Sequence, residues 1–258
     1  MKILVCIKQV PDMASRFKVN GEGTWYDEVD LSFRMNEYDE YAVEQAVQLK
    51  EQQGNTPDIT VLSIGPDRVV EAIKKALAMG CDRGVHIQDN ASFRKDPWQI
   101  ASAIAGFSRD KNFDLIFFGM QSQDRGSGQV GTIVAELLGI PCATTVVGFA
   151  FVDGVITAKR ELEGGMKAVV KLKLPALITC QLGLNTPRYP TLPNIMKAKK
   201  KELLAFPIAE FLKEKELTAT ASAYPPEKKG KGVVLEGDVN DMVGKLVGIL
   251  KEKTKVVK

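Results

Sequence analysis

From the N-terminus to Gly139, short continuous apolar runs alternate with longer amphipathic stretches, and this rhythm admits few architectures. Runs 2–7, 59–64, 84–88 and 113–118 are rich in Val, Ile, Leu and Phe without in-out alternation, as expected of strands buried on both faces. Between them, 38–52, 67–79, 97–109 and 129–138 have helical patterning; in the first, the stripe is Tyr41, Val43, Ala46, Val47 and Leu49. Gly80 and Gly139 stop two of these helices, and Pro97 stands in the first turn of a third. The pattern predicts an α/β fold, a mostly parallel sheet with helices on both faces.

Past Pro141 the rhythm changes. Segments 143–149, 154–161 and 166–174 predict an antiparallel meander turning at Asp153-Gly154 and Gly164-Gly165. A further apolar strand, 175–180, runs into 181–201, a mostly uncharged strip ending in a basic cluster at Lys197–Lys201. Pro187, Pro190 and Pro193 fix φ and remove backbone donors, so this strip predicts a stiff exposed loop presenting Tyr189, Leu192 and Ile195. Such a loop loses little conformational entropy on docking, which suits recognition. Beyond about residue 205 the composition loosens. Residues 218–232 predict a linker, and 238–251 an amphipathic helix N-capped by Asp238 with Met242, Val243, Leu246, Val247 and Leu250 on its apolar face. The expected division is 1–204 for the α/β domain and 205–258 for a C-terminal arm.

Charge and cysteine usage exclude several functions. With 35 basic and 32 acidic residues the net charge is +3, too balanced for a nucleic-acid surface. Cys6, Cys81, Cys142 and Cys180 are far apart, with no CxxC pair and a single histidine, His86, so no metal site is expected. Each cysteine lies in or beside an apolar run, as buried free thiols of a reducing cytoplasm do. The apolar run at the start is too short for a signal-peptide core, and no window approaches the roughly 18 apolar residues of a membrane span. A soluble cytoplasmic protein is expected.

The small-molecule chemistry is concentrated after the fourth strand, in GMQSQDRGSGQVGT, residues 119–132. Gly119, Gly126, Gly128 and Gly131 allow close backbone approach, and Ser122, Ser127 and Thr132 offer hydroxyls. A helix start near Gln129 would aim free N–H groups and the positive dipole end at an anion. Ligands of open parallel sheets collect at the carboxyl ends of the strands, where this loop emerges. The loop is neither a Walker A sequence nor a GxGxxG after the first strand, and a ligand-free glycine turn is the plain alternative. Nothing suggests bond-making chemistry: His86 falls inside a strand, and Glu37, Asp39 and Glu40 fall at a helix start, where acids complement the dipole.

Several segments in order, KILVCIKQVPD, MNEYDEYAVEQA, GPDRVVEAIKKALAMGCDRG, GMQSQDRGSGQVG, RELEGGM and LPALITCQLGLNTPRYPTLPNIMKAKKK, resemble the β subunit of electron-transfer flavoproteins over essentially the whole chain. The resemblance implies an adenine-nucleotide α-hydrolase-like fold and a larger α subunit holding most of the FAD. It implies an electron carrier, not an enzyme, that takes electrons from dehydrogenases and passes them to a membrane quinone oxidoreductase. By position, AMP would meet Cys6, Asn36, Ile64, Gly119, Gln121, Ser122, Asp124, Ser127, Gly128, Gln129, Val130, Gly131 and Thr132. Met13 and Tyr38 would lie near the partner's FAD, and Leu192, framed by Tyr189 and Ile195, would anchor the dehydrogenase. The arm 205–258 would dock on the α subunit.

The family has an AMP-holding type and an electron-bifurcating type with a second FAD. The bifurcating loop typically reads Asp-Gly-Asp-Thr-Ala-Gln-Val-Gly, whereas here Arg125, Gly126 and Ser127 follow Asp124, with Gln129-Val130-Gly131 kept. The AMP type is therefore expected; the alternatives are the bifurcating type and a stand-alone nucleotide-binding protein of the universal-stress kind.

Overall fold

The computed structural model describes residues 1–226, 230 and 232–253. In chain order the elements are β1 (Lys2–Cys6), β2 (Gln9–Pro11), β3 (Phe33–Met35), α1 (Glu37–Gln52), β4 (Asp58–Gly65), α2 (Val70–Met79), β5 (Arg83–Gln88), α3 (Pro97–Ser108) and β6 (Leu115–Gly119). There follow α4 (Val130–Leu138), β7 (Cys142–Val152), β8 (Val155–Glu161), β9 (Lys167–Lys173), β10 (Ala176–Cys180), α5 (Leu192–Ala198), β11 (Leu203–Pro207) and α6 (Val239–Lys253). Among the described residues the main sheet has nine strands in the order β11-β5-β4-β1-β6-β10-β7-β8-β9, and β2 and β3 form a separate antiparallel pair. The sheet is parallel from β11 to β7 and turns antiparallel through β8 and β9.

The apolar runs are sealed on both sides, as their patterning predicts. Ile3 and Val5 of β1 join Val43 of α1 and Ile73 of α2 in one core. Leu4 and Cys6, pointing the other way, join Ile104 of α3 and Val134 of α4 in the second. Burying each such aliphatic side chain contributes about 1.5–3 kcal/mol, so β1 is anchored from both faces. Asp96 N-caps α3 by accepting from Gln99 N at 2.9 Å, ahead of Pro97.

Strand order creates the functional crevice. From the central β1, the chain fills β4 and β5 on one flank and β6 and β10 on the other. Loops leaving the carboxyl ends of β1 and β6 therefore diverge, the arrangement that opens a binding cleft in doubly wound sheets.

Three expectations change. The strip 181–201 is not loop throughout: α5 starts at Leu192, with Thr191 accepting from Asn194 N at 3.4 Å and Pro193 in the first turn, where a missing N–H costs nothing. Strand β11 pairs with β5 from Leu203↔Gly84 to Pro207↔Gln88, so the sheet continues across the expected boundary at 204. The described chain divides into compact units Met1–Ala223 and Tyr224–Lys258. Of the expected linker 218–232, Thr218 N donates to Asp96 Oδ2 at 2.9 Å and Ala223 N to Gly23 O at 2.7 Å, which fixes its first residues; 227–229 and 231 lie outside the described residues. Within the second unit α6 appears as expected, and Asp238 Oδ1 accepts from Asn240 N and Asp241 N. The lysine tail beyond 253 lies outside the described residues. No helix among the described residues is long and apolar enough to cross a membrane.

Candidate functional site

At the carboxyl ends of β1, β4 and β6 lies a cavity of about 160 Å³. Cys6, Asn36, Ile64, Gly119, Gln121, Ser122, Asp124, Ser127, Gly128, Gln129, Val130 and Gly131 all line it, so residues scattered over 126 positions converge on one place. Thr132 lies outside: it sits in the first exposed turn of α4 and donates its hydroxyl to Gln129 O at 2.8 Å. Met13 and Tyr38 also lie outside the cavity lining, Met13 being exposed and Tyr38 accepting at its hydroxyl from Gln121 Nε2 at 3.3 Å.

The loop between β6 and α4 is held in shape by neighbours. Buried Asn36 donates Nδ2 to Gln121 O at 2.9 Å and accepts at Oδ1 from Gln123 N at 3.0 Å, so its amide serves the loop backbone. Lys8 grips Asp124 at 2.6 Å, and the Asp124 side chain is only 2% exposed. Gly119 lies against α1: a Cβ there would stand 2.2 Å from Asp39 Oδ1. At the far end, the α4 N-cap, Gln129, makes no side-chain capping bond, so the first turn presents uncapped donors beside the cavity.

Beneath the loop, Asp39 ties three elements together. One carboxylate oxygen accepts from Lys8 N at 2.7 Å and the other from Gly119 N at 3.1 Å. Burial pushes this carboxyl up to about 7, against the opposing pull of those N–H donors and of Asn36. Burial likewise raises the Cys6 thiol well above its ordinary range, with the Asp39 charge adding to the effect. The thiol that lines the cavity is therefore a neutral, weakly polar surface and no nucleophile. His86 is buried, with Nε2 2.8 Å from Gly65 O.

The sequence pattern did not reveal the rest of the wall. Trp25 and Tyr26 come from the excursion between β2 and β3, and Phe93 and Lys95 from the segment after β5. Trp25 stacks obliquely on Tyr26 at 4.4 Å and on Phe93 at 6.2 Å between centroids. Arg125 lies over the Trp25 ring at 4.6 Å and donates to the carbonyls of Lys95, at 3.0 Å, and Phe93. Isolated aromatics in irregular segments carry no periodicity, so only Lys8, which interrupts the first apolar run, left any signal.

Three wall residues hold buried polar atoms with no hydrogen-bond partner among the described residues: Gln9 Oε1, Trp25 Nε1 and Arg68 Nε. Native interiors rarely leave such atoms unpaired. A polar, flat occupant with an anionic end matches these atoms, the aromatic wall and the uncapped helix start.

Residues 24–211 match the family described as Electron transfer flavoprotein domain. The chain is 39% identical over 229 residues to the Electron transfer flavoprotein subunit beta of Bacillus subtilis, covering 86% of this chain and 88% of the relative. It is 33% identical to the subunit of the same name in Methylophilus methylotrophus, covering 98% of each, and 34% identical to that of Homo sapiens, covering 95% and 96%. The chain belongs to the electron transfer flavoprotein family and stands among its β subunits. A role in electron transfer, flavin involvement and a companion α subunit follow from that membership.

Proposed function

We propose that this chain is the β half of a heterodimeric electron carrier, with an AMP in the cavity and most of the FAD environment supplied by the α subunit. The observation that carries the nucleotide assignment is the convergence of Cys6, Asn36, Ile64 and most of 119–131 on the switch-point cavity. Cys6 and Ile64 offer flat apolar contact suited to a base. Ser127, Gly128 and the start of α4 offer N–H groups and a hydroxyl suited to a phosphate. The bound flavin supplies reversible uptake of electrons; this chain's residues bind, orient and enclose. Tyr38 and Met13, outside the cavity, would face the partner's flavin in this reading.

Residues 181–201 form the dehydrogenase dock in this proposal, and delivery is to a membrane quinone oxidoreductase. Tyr189 is 91% and Leu192 79% exposed, a cost in water that a partner surface would remove. The segment 205–258 contributes to α-subunit binding, with the amphipathic α6 as its apolar face.

The test is the nucleotide released when the co-purified heterodimer is denatured. One FAD and one AMP per dimer is expected. Two FAD and no AMP would assign a bifurcating carrier instead.

A further inference from the structure

The geometry points to Arg125 as the residue that limits the cavity's occupant to a nucleoside monophosphate, excluding di- and triphosphates. This rests on the adenine-nucleotide reading of the cavity and assigns its selectivity to one side chain.

Arg125 belongs to the β6–α4 loop, yet its guanidinium reaches the opposite wall. Nη1 donates to Lys95 O at 3.0 Å, Nη2 donates to Phe93 O, and the plane lies over Trp25 at 4.6 Å. Trp25, Phe93, Lys95 and Arg125 all line the cavity, so this one group joins three separate segments around it. The space between those walls is filled by a guanidinium fixed on two carbonyls and one ring.

Its charge state adds a second argument. Lys8 pairs with Asp124, Arg68 with Glu28 and Lys95 with Asp89. Among the described residues Arg125 pairs with no carboxylate, so it is the one basic group of the wall whose charge is answered only by carbonyl dipoles and a π face. A single phosphate at the uncapped start of α4 gains this cation as counter-charge and leaves its bonds intact. A longer phosphate chain must take the space the guanidinium fills, breaking both carbonyl bonds and the stack. Lysine does not replace it, because an ammonium lacks the planar fork that donates to both carbonyls while lying flat on the Trp25 ring.

The experiment is competition binding on the heterodimer, with its β-subunit nucleotide removed by mild chaotrope and then titrated with AMP, ADP and ATP. Wild type should prefer AMP over ADP by roughly ten-fold or more, and Arg125→Ala should reduce that preference to about three-fold or less. Arg125→Lys should behave like Arg125→Ala; it supplies the answer if the alanine variant does not assemble. Retention of the wild-type ratio by the variants overturns the proposal and leaves the site assignment standing. So does equal binding of AMP and ADP by wild type. A wild-type dimer that takes no adenine nucleotide overturns the site assignment, and the proposal with it.

Discussion

Arg188 closes on Glu44 of α1 with three bonds: backbone N and Nε reach Oε2 at 3.1 and 2.8 Å, and Nη2 reaches Oε1 at 3.0 Å. Glu51, two turns further along α1, accepts from Nη1 at 2.6 Å and Nη2 at 3.0 Å. The Glu44 side chain is 4% exposed, while Tyr189, the next residue after Arg188, is almost fully in water. One planar cation thus pins the strip to the body so that its tip stands out. Arg188→Ala leaves a buried carboxylate without its cation, and the cost falls between exposed and buried pairs, about 1–3 kcal/mol. Melting of the heterodimer should drop, and dehydrogenase docking should weaken while nucleotide content holds. The guanidinium also holds the Glu51 carboxyl below its ordinary value. Since the folded value is the lower one, that contribution is present at neutral pH and fades as acid protonates Glu51. The stability gap between wild type and Glu51→Gln should accordingly hold down to pH of about 4 and narrow below it.

Leu192 is the second test of the same surface. It opens α5 with its side chain exposed, so Leu192→Ala should leave melting and nucleotide content unchanged. Loss of its burial in a docked complex costs about 1.5–3 kcal/mol, roughly one to two powers of ten in affinity. Reduction kinetics at varied carrier concentration measure this. Unchanged half-saturation would make the strip a structural connection only.

Gly128 and Gly131 should fail in different ways. Gly128 adopts φ of +60°, and an added Cβ would meet Met120 O at an ordinary 3.7 Å, so Gly128→Val chiefly adds backbone strain of about 1–2 kcal/mol at the loop. Gly131 instead lies against β10, where an added Cβ would be 2.9 Å from Thr179 Cγ2. Gly131→Val overpacks that contact, typically by about 1–3 kcal/mol, and should lower melting with or without nucleotide. Gly128→Val should chiefly reduce nucleotide occupancy, assayed on denatured heterodimer.

Asp39 should give a pH signature of opposite sign to Glu51. Its folded value, up to about 7, lies above its value in the unfolded chain. Between roughly pH 4 and 7 the folded state keeps a proton that the unfolded state has lost, so this group's contribution falls as pH rises. The groups facing it are Lys8 from the end of β1 and the neutral thiols of Cys6 and Cys180. The melting difference between Asp39→Asn and wild type should climb in favour of the variant from pH 4 to 7 and then level off. A difference flat across that range would mean Asp39 is ionised throughout.

Sequence patterning made the parallel half of the fold legible because those strands are buried twice over and read as unbroken apolar runs. It missed α5 because Pro187, Pro190 and Pro193 dominate the strip, although Thr191 supplies the cap and Pro193 occupies a position helices tolerate. It missed β11 because Leu203 and Leu204 sit on an edge strand with both side chains partly exposed, leaving only five residues of weak signal. Within the cavity the glycine loop was visible as a local motif. Trp25 and Phe93 were not, nor was the reach of Arg125 from that loop to both of them, since these residues meet only through tertiary contact across 100 positions.

The pairing of β11 with β5 also sets an order on synthesis. Residues 83–88 leave the ribosome more than a hundred positions before 203–207, so the nascent sheet carries an open edge at β5 until the chain is four-fifths made. An unpaired edge invites pairing with other chains. A product truncated after Lys201 should therefore aggregate more than one ending at Ala223, in which β5 is paired and the edge passes to the five-residue β11. Sedimentation of the two translation products would separate these outcomes.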